Sequence, residues 1–193
     1  MYEVELKVRA DHQQVREHLE ELDATPAGTV HQEDTYFDAP GRNFAETDEA
    51  LRIRRERRDS TESVSLTYKG PLVERRSKTR EEAETRVDDG TALASILEGL
   101  GYEPAATVEK ERTRFGVDGC TVTLDSVAGL GEFVEVETET EQEVGADSSE
   151  AEAELAAVRG EVTAVMDRLG LDPDEQIQTS YLGLLLGADE SKQ

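Results

Sequence analysis

In the stretch Met1-Tyr2-Glu3-Val4-Glu5-Leu6-Lys7-Val8, charged residues alternate with apolar ones. Side chains two apart on a strand share a face. Glu3, Glu5 and Lys7 therefore stand on one face, and Val4, Leu6 and Val8 on the other. Such a strand can line a charged cavity with its apolar back under helices, or it can be half-buried with a wet face. The same device recurs along the chain with both signs of charge. Arg52 and Arg54 flank Ile53, and Arg80, Glu82 and Glu84 fall two apart. Lys110 and Arg112 do likewise, and Glu135 and Glu137 alternate with Val134 and Val136. Asp125 follows the apolar Val122 and Leu124, and Lys69 closes Leu66-Thr67-Tyr68.

Between these stretches the patterning predicts the remaining elements. A helix is expected from Asp11 to Leu22, with Asp11 as N-cap and Val15, Leu19 and Leu22 as its apolar stripe. Strands are expected over Thr29–Asp38, Ala50–Arg57, Ser63–Lys69 and Lys78–Val87, with Gly70-Pro71 as a breaker. A helix follows over Asp88–Gly99. Val108–Val117 and Cys120–Val127 read as a hairpin around Asp118-Gly119, and Glu132–Glu139 as a further strand. Helices are expected over Ser148–Leu169 and Ser180–Leu186. This is an α+β pattern: about eight strands in an antiparallel sheet, closed into a barrel, with helices packed outside. The 193 residues favour one domain over 1–187, with 188–193 as a loose tail.

The net charge of −24 argues against nucleic-acid partners and anionic membrane surfaces, both of which call for Lys and Arg. No apolar run reaches the roughly 20 residues of a bilayer span. A lone cysteine, Cys120, cannot close an internal disulfide, which suits the cytoplasm; it sits at a turn with no basic neighbour to activate it. His31 reads as a surface or capping residue, and Tyr181 as either core or the closure of one end of a cavity. Only five of the 21 basic residues are lysines. An acidic, lysine-poor surface resembles proteins of salt-loving microbes, where molar salt cuts the Debye length to about 3 Å. In such a chain the placement of Lys7, Lys69 and Lys110 on the charged faces carries weight.

If these faces look inward, Glu3, Glu5, Asp125, Glu135 and Glu137 form an oxygen-rich set suited to a hard divalent cation. Lys7, Arg52, Arg54, Lys69, Lys110 and Arg112 would bind several phosphate groups. Metal plus cation clamp is the general recipe of phosphoryl-transfer chemistry. The plainer alternative is a series of solvated faces balanced by cross-strand ion pairs.

Glu3-Val4-Glu5-Leu6-Lys7 resembles the Glu-x-Glu-x-Lys signature of the CYTH family, the triphosphate tunnel metalloenzymes. Gln32-x-Asp34-x-Tyr36-Phe37-Asp38, Leu51-Arg52-Ile53-Arg54, Tyr68-Lys69-Gly70-Pro71, Arg80-x-Glu82-x-Glu84, Lys110-x-Arg112 and the block from Asp125 to Glu137 resemble its later strands in order. The pattern is most similar to the class IV adenylate cyclase branch. The resemblance implies an eight-stranded tunnel holding a triphosphate with Mg²⁺ or Mn²⁺. It places Glu3, Glu5, Asp125, Glu135 and Glu137 on the metal side, with Glu82 and Glu84 binding a second metal or holding Arg80. It gives Arg52, Arg54, Lys69, Arg80, Lys110 and Arg112 to the phosphates. Lys7 would bind phosphate or prepare the nucleophile, so that Lys7, Glu3 and Glu5 form the catalytic set. The implied activity is conversion of ATP to cyclic AMP and pyrophosphate. The alternatives are hydrolysis of tripolyphosphate, a nucleoside triphosphate or thiamine triphosphate, and non-catalytic binding of polyphosphate or nucleotide. Dimeric relatives make a homodimer one assembly the resemblance allows.

Overall fold

The computed structural model describes residues 2–47, 49–74, 79–140 and 149–190. In chain order the strands are β1 (Tyr2–Arg9), β2 (Thr25–Asp38), β3 (Ala50–Arg58), β4 (Thr61–Glu74), β5 (Thr79–Val87), β6 (Glu103–Val117), β7 (Cys120–Val127) and β8 (Gly131–Thr140). The helices are α1 (His12–Glu21), α2 (Phe44–Thr47), α3 (Gly90–Gly99), α4 (Ser149–Arg168) and α5 (Tyr181–Glu190), with a 3₁₀ turn at Pro173–Glu175. The fold is α+β, as expected, and its strands form one antiparallel sheet in the order β1-β8-β7-β6-β2-β3-β4-β5. Of the described residues, those within 1–29, 112–126 and 131–179 form one compact unit, and those within 30–111, 127–130 and 180–193 a second.

In the first unit β1 pairs antiparallel with β8, Glu5 opposite Glu137, Lys7 opposite Glu135 and Leu6 opposite Val136. That register puts the charged residues of both strands on one face and the valines and leucines on the other. The apolar face carries the core: Leu6, Val8, Val134 and Val136 pack with Val15 and Leu19 of α1, with Val162, Val165 and Met166 of α4, and with Leu169 just after it. Helix α1 starts where the sequence indicates, because Asp11 Oδ1 accepts from the backbone N–H of Gln13 at 2.8 Å and of Gln14 at 3.2 Å. Such a cap stabilises a helix by about 1 kcal/mol.

In the second unit Asp34 of β2 lies opposite Arg54 of β3, and Tyr36 opposite Arg52. Arg52 in turn faces Thr67 of β4, which faces Glu84 of β5, while Lys69 faces Glu82. The opposite face is apolar: Phe37, Ile53, Val64 and Leu66 pack with Leu93, Ala94 and Leu97 of α3.

The boundaries depart from expectation in places. β4 runs past Gly70-Pro71 to Glu74, because the pairing with β5 shifts register between Lys69 and Leu72. A bulge there tolerates a residue with no N–H to donate. β6 begins at Glu103, five residues before the apolar alternation starts, with Pro104 confined to its second position. α5 continues to Glu190, beyond the expected end at Leu186; residues 191–193 of the expected tail, and Lys78 of the expected fifth strand, lie outside the described residues. No helix is long and apolar enough to cross a membrane among the described residues.

Candidate active site

Two charged constellations stand on the polar sheet faces, one in each unit. In the first, carboxylate oxygens of Glu5, Glu135 and Glu137 all lie within 4.8 Å of one another. Glu135 is 4 % exposed. Burial pushes its carboxyl above the ordinary glutamate range, the Glu5 charge adds to this, and Arg112 pulls the other way. Lys7 also brings positive charge to Glu135. The donor set is all oxygen, the kind of ligand a hard divalent cation would take. No histidine or cysteine joins the cluster among the described residues.

Arg112 sits beside this cluster. Its Nε donates to Asp125 Oδ1 at 2.7 Å, and its Nη2 donates to Asp125 Oδ2 and, at 2.5 Å, to Glu135 Oε2. Asp125 is fully buried, and this two-pronged pairing is what satisfies it. The expected metal-side residue Asp125 is thus held as the anchor of an expected phosphate binder and does not join the three clustered glutamates. Lys7 is 4 % exposed; its Nζ donates to the Thr179 carbonyl at 2.9 Å, while its own carbonyl accepts from Ile177 N–H at 2.7 Å. The segment after the 3₁₀ turn therefore fixes Lys7 at both ends. Thr123, two residues before Asp125 and on its face, is fully buried, and its hydroxyl has no hydrogen-bond partner among the described residues.

In the second unit, one carboxylate gathers three cations. Asp34 is fully buried. Arg54 donates to it from Nε at 2.6 Å and from Nη2 at 2.7 Å. Lys110 Nζ stands 3.4 Å and Arg52 Nη1 3.5 Å from its Oδ2. Burial pushes the Asp34 carboxyl up, but the Arg54 hydrogen bonds and the charges of Lys110, Arg54 and Arg52 outweigh it. Its pKa is held well below the usual carboxylate range. Lys110, 5 % exposed, also lies over the Tyr181 ring at 5.4 Å, so Tyr181 is a buried ring against a site cation. Arg52 Nε is buried with no hydrogen-bond acceptor among the described residues.

Further along the same face, Lys69 Nζ pairs with Glu82 at 2.8 Å, and Thr67 donates to Glu84 at 2.7 Å. Glu82 and Glu84 are exposed and engaged by β4 residues, and they are not part of the carboxylate cluster of β1 and β8. Glu3 and Arg80 occupy β1 and β5, but their side chains lie outside the described part of the structure. His31 is exposed, and Cys120 is buried with its thiol pushed up by burial.

Asp34 is the residue whose role sequence reasoning did not reach. A signal was present, since Gln32, Asp34 and Tyr36 alternate with apolar or outward positions up to Phe37. Nothing local indicated that three cations from β3 and β6 would converge on it.

Residues 1–181 match the CYTH domain family, and the chain belongs to that family. Its relatives carry the names of enzymes. A Methanocaldococcus jannaschii protein, MJ0240, provisionally named an adenylate cyclase, is 35 % identical over 185 residues, covering 95 % of this chain and 98 % of its own. The solved structure of the PH1819 protein from Pyrococcus horikoshii OT3 is 35 % identical, with a TM-score of 0.83 over 97 % of this chain and 99 % of that one. A more distant fold relative is HpAC1 from Hippeastrum, at 17 % identity and a TM-score of 0.66 over 96 % of both chains. It is described as an adenylyl cyclase candidate with a dominant triphosphatase activity.

Proposed function

We propose that this chain is a metal-dependent enzyme acting on a triphosphate, in the manner of a class IV adenylate cyclase. The observation that carries the reading is the Asp34 cluster. Arg52, Arg54 and Lys110 converge on one carboxylate in a buried place, in a chain whose net charge is −24. Arg52 Nε, buried with no hydrogen-bond acceptor among the described residues, offers a donor to an anion. A polyphosphate suits several fixed cations at once.

In this reading Arg52, Arg54, Lys69 and Lys110 bind phosphoryl oxygens, and Asp34 holds three of them in place. Arg112 is oriented by Asp125 and serves the same purpose. Glu5, Glu135 and Glu137 would hold Mg²⁺ or Mn²⁺, with Glu3 assigned alongside them by its place in β1. A divalent ion bound there supplies charge neutralisation and a lowered pKa for a hydroxyl nucleophile. Lys7, steadied by the Thr179 carbonyl, contacts the phosphates or the nucleophile. In the cyclase reaction the ribose 3′-oxygen forms a bond to the α-phosphorus as its proton leaves, and pyrophosphate departs with the electron pair of the broken P–O bond. Hydrolysis of tripolyphosphate, a nucleoside triphosphate or thiamine triphosphate is the second reading; the same clamp serves it, with water as nucleophile. The whole span 1–187 is taken as the working unit, in the cytoplasm.

Two variants test this. Arg52→Ala with Arg54→Ala is expected to weaken tripolyphosphate binding by at least about 100-fold, given about 1.5–3 kcal/mol for each charged hydrogen bond. Glu5→Gln is expected to abolish metal-dependent turnover while the circular dichroism stays native. Unchanged affinity in the first, or retained turnover in the second, would contradict the assignment.

A further inference from the structure

Among the described site cations, Lys69 has the most exposed side chain, at 31 % against 17 % for Arg54 and 5 % for Lys110. Its ammonium pairs at 2.8 Å with Glu82, itself 39 % exposed. Lys69 is also the last residue of β4 before the register with β5 shifts. Gly70-Pro71 follows, and Pro71 brings no N–H to the ladder. A long side chain on a strand that is about to bulge keeps its aim only if its backbone is fixed from another direction.

The back of the strand supplies that direction. Tyr68 points to the face opposite Lys69. Lys69 stands across from Ala50 of β3, and Tyr68 across from Leu51. The Tyr68 hydroxyl donates to Oε1 of Glu49, the residue just before Ala50. Glu49 is buried and well supplied with donors. Its Oε2 accepts from Arg42 Nε at 3.0 Å and from the Thr47 hydroxyl at 2.5 Å, and Arg42 Nη2 donates to Oε1. Arg42, then Thr47 and Tyr68, hold its carboxyl at about 2, so it is ionised at neutral pH. The backbone is tied as well. Glu49 N–H donates to the Phe44 carbonyl at 2.9 Å, and Phe44 N–H donates to Asp38 Oδ1 at 2.9 Å. The Phe44 ring meets Tyr68 edge-on, with centroids 6.3 Å apart. A buried ion pair adds little stability over an apolar packing of the same shape. What this one does add is a fixed place for the Tyr68 hydroxyl.

We propose that Glu49, through Tyr68, is a positioning residue for Lys69. It pins the Ala50–Lys69 pair, so that the ammonium stays on the phosphate-binding face while the strand bulges beyond it. The inference rests on the triphosphate reading above and adds to it two residues that touch no phosphate.

Calorimetric titration of the full chain with inorganic tripolyphosphate tests it as a double-mutant cycle. Lys69→Ala is expected to weaken binding about tenfold, the worth of one charged contact. Tyr68→Phe keeps the ring and deletes only the hydroxyl. It is expected to weaken binding about fivefold in the wild-type background and to change nothing once Lys69→Ala is present. Glu49→Gln enters the same cycle with the same expectation, and decides the matter if Tyr68→Phe fails to fold. A merely structural role would weaken binding alike in both backgrounds. That result, or no weakening in the wild-type background, would overturn the positioning role and leave the triphosphate reading standing. Failure of the wild-type protein to bind tripolyphosphate would instead defeat that reading. Lys69→Ala without effect would remove Lys69 from the phosphate site, and the positioning role with it.

Discussion

Asp34 shows how one buried carboxylate organises a cation site. It has no exposed surface and accepts from or faces Arg54, Arg52 and Lys110. Removing its charge would leave three cations in a desolvated place, and breaking such a set typically costs about 3–5 kcal/mol. Asp34→Asn is therefore expected to lower stability by that order, read as a fall in the urea midpoint at neutral pH; an unmoved midpoint would contradict the role. The pH dependence follows from the depressed pKa. An unfolded aspartate titrates near ~3.9, and Asp34 titrates lower when folded. Its contribution is therefore complete above about pH 4 and is lost as the pH falls towards the folded value. The stability gap between wild type and Asp34→Asn should accordingly close below about pH 4, and a gap that widened there would contradict the assignment. Asp34 also marks where sequence reading stops. The strand and face of a residue follow from alternation, but convergence of side chains from β2, β3 and β6 on one oxygen pair is a tertiary fact.

At the scale of elements, what could be read was what periodicity and turn chemistry control. The alternation in Glu3–Lys7 and Val134–Glu137 fixes a face for each residue, and the β1–β8 register then sets Glu5 opposite Glu137. Asp118 and Gly119 both adopt positive φ, at 49° and 83°, the geometry that a two-residue hairpin requires. No neighbouring atom would meet an added Cβ at Gly119. Gly119→Ala should therefore reveal the conformational cost alone, about 1 kcal/mol lost in chemical denaturation. No loss would mean that the turn is not held in that form. What could not be read had equally local causes. Gly70-Pro71 signals a break, yet the bulge after Lys69 lets β4 pass through it. The one-turn helix α2 carries no periodicity to detect, although Phe44 within it meets Tyr68 edge-on.

At the scale of the whole molecule, charge is sorted as well as abundant. The net −24 is spread over the chain, while two lysines on strand faces, Lys7 and Lys110, are buried. The carboxylates of β1 and β8 gather in one unit and the cations around Asp34 in the other. Molar salt cuts the Debye length to about 3 Å and screens the self-repulsion of so many like charges. The most direct test of the central claim is product analysis of the full chain in molar KCl with Mg²⁺ or Mn²⁺, offering ATP and tripolyphosphate in separate reactions. The expected result is metal-dependent formation of cyclic AMP and pyrophosphate from ATP, lost in Glu5→Gln; orthophosphate without cyclic AMP would shift the reading to the triphosphatase. No turnover of either substrate with either metal would contradict the account.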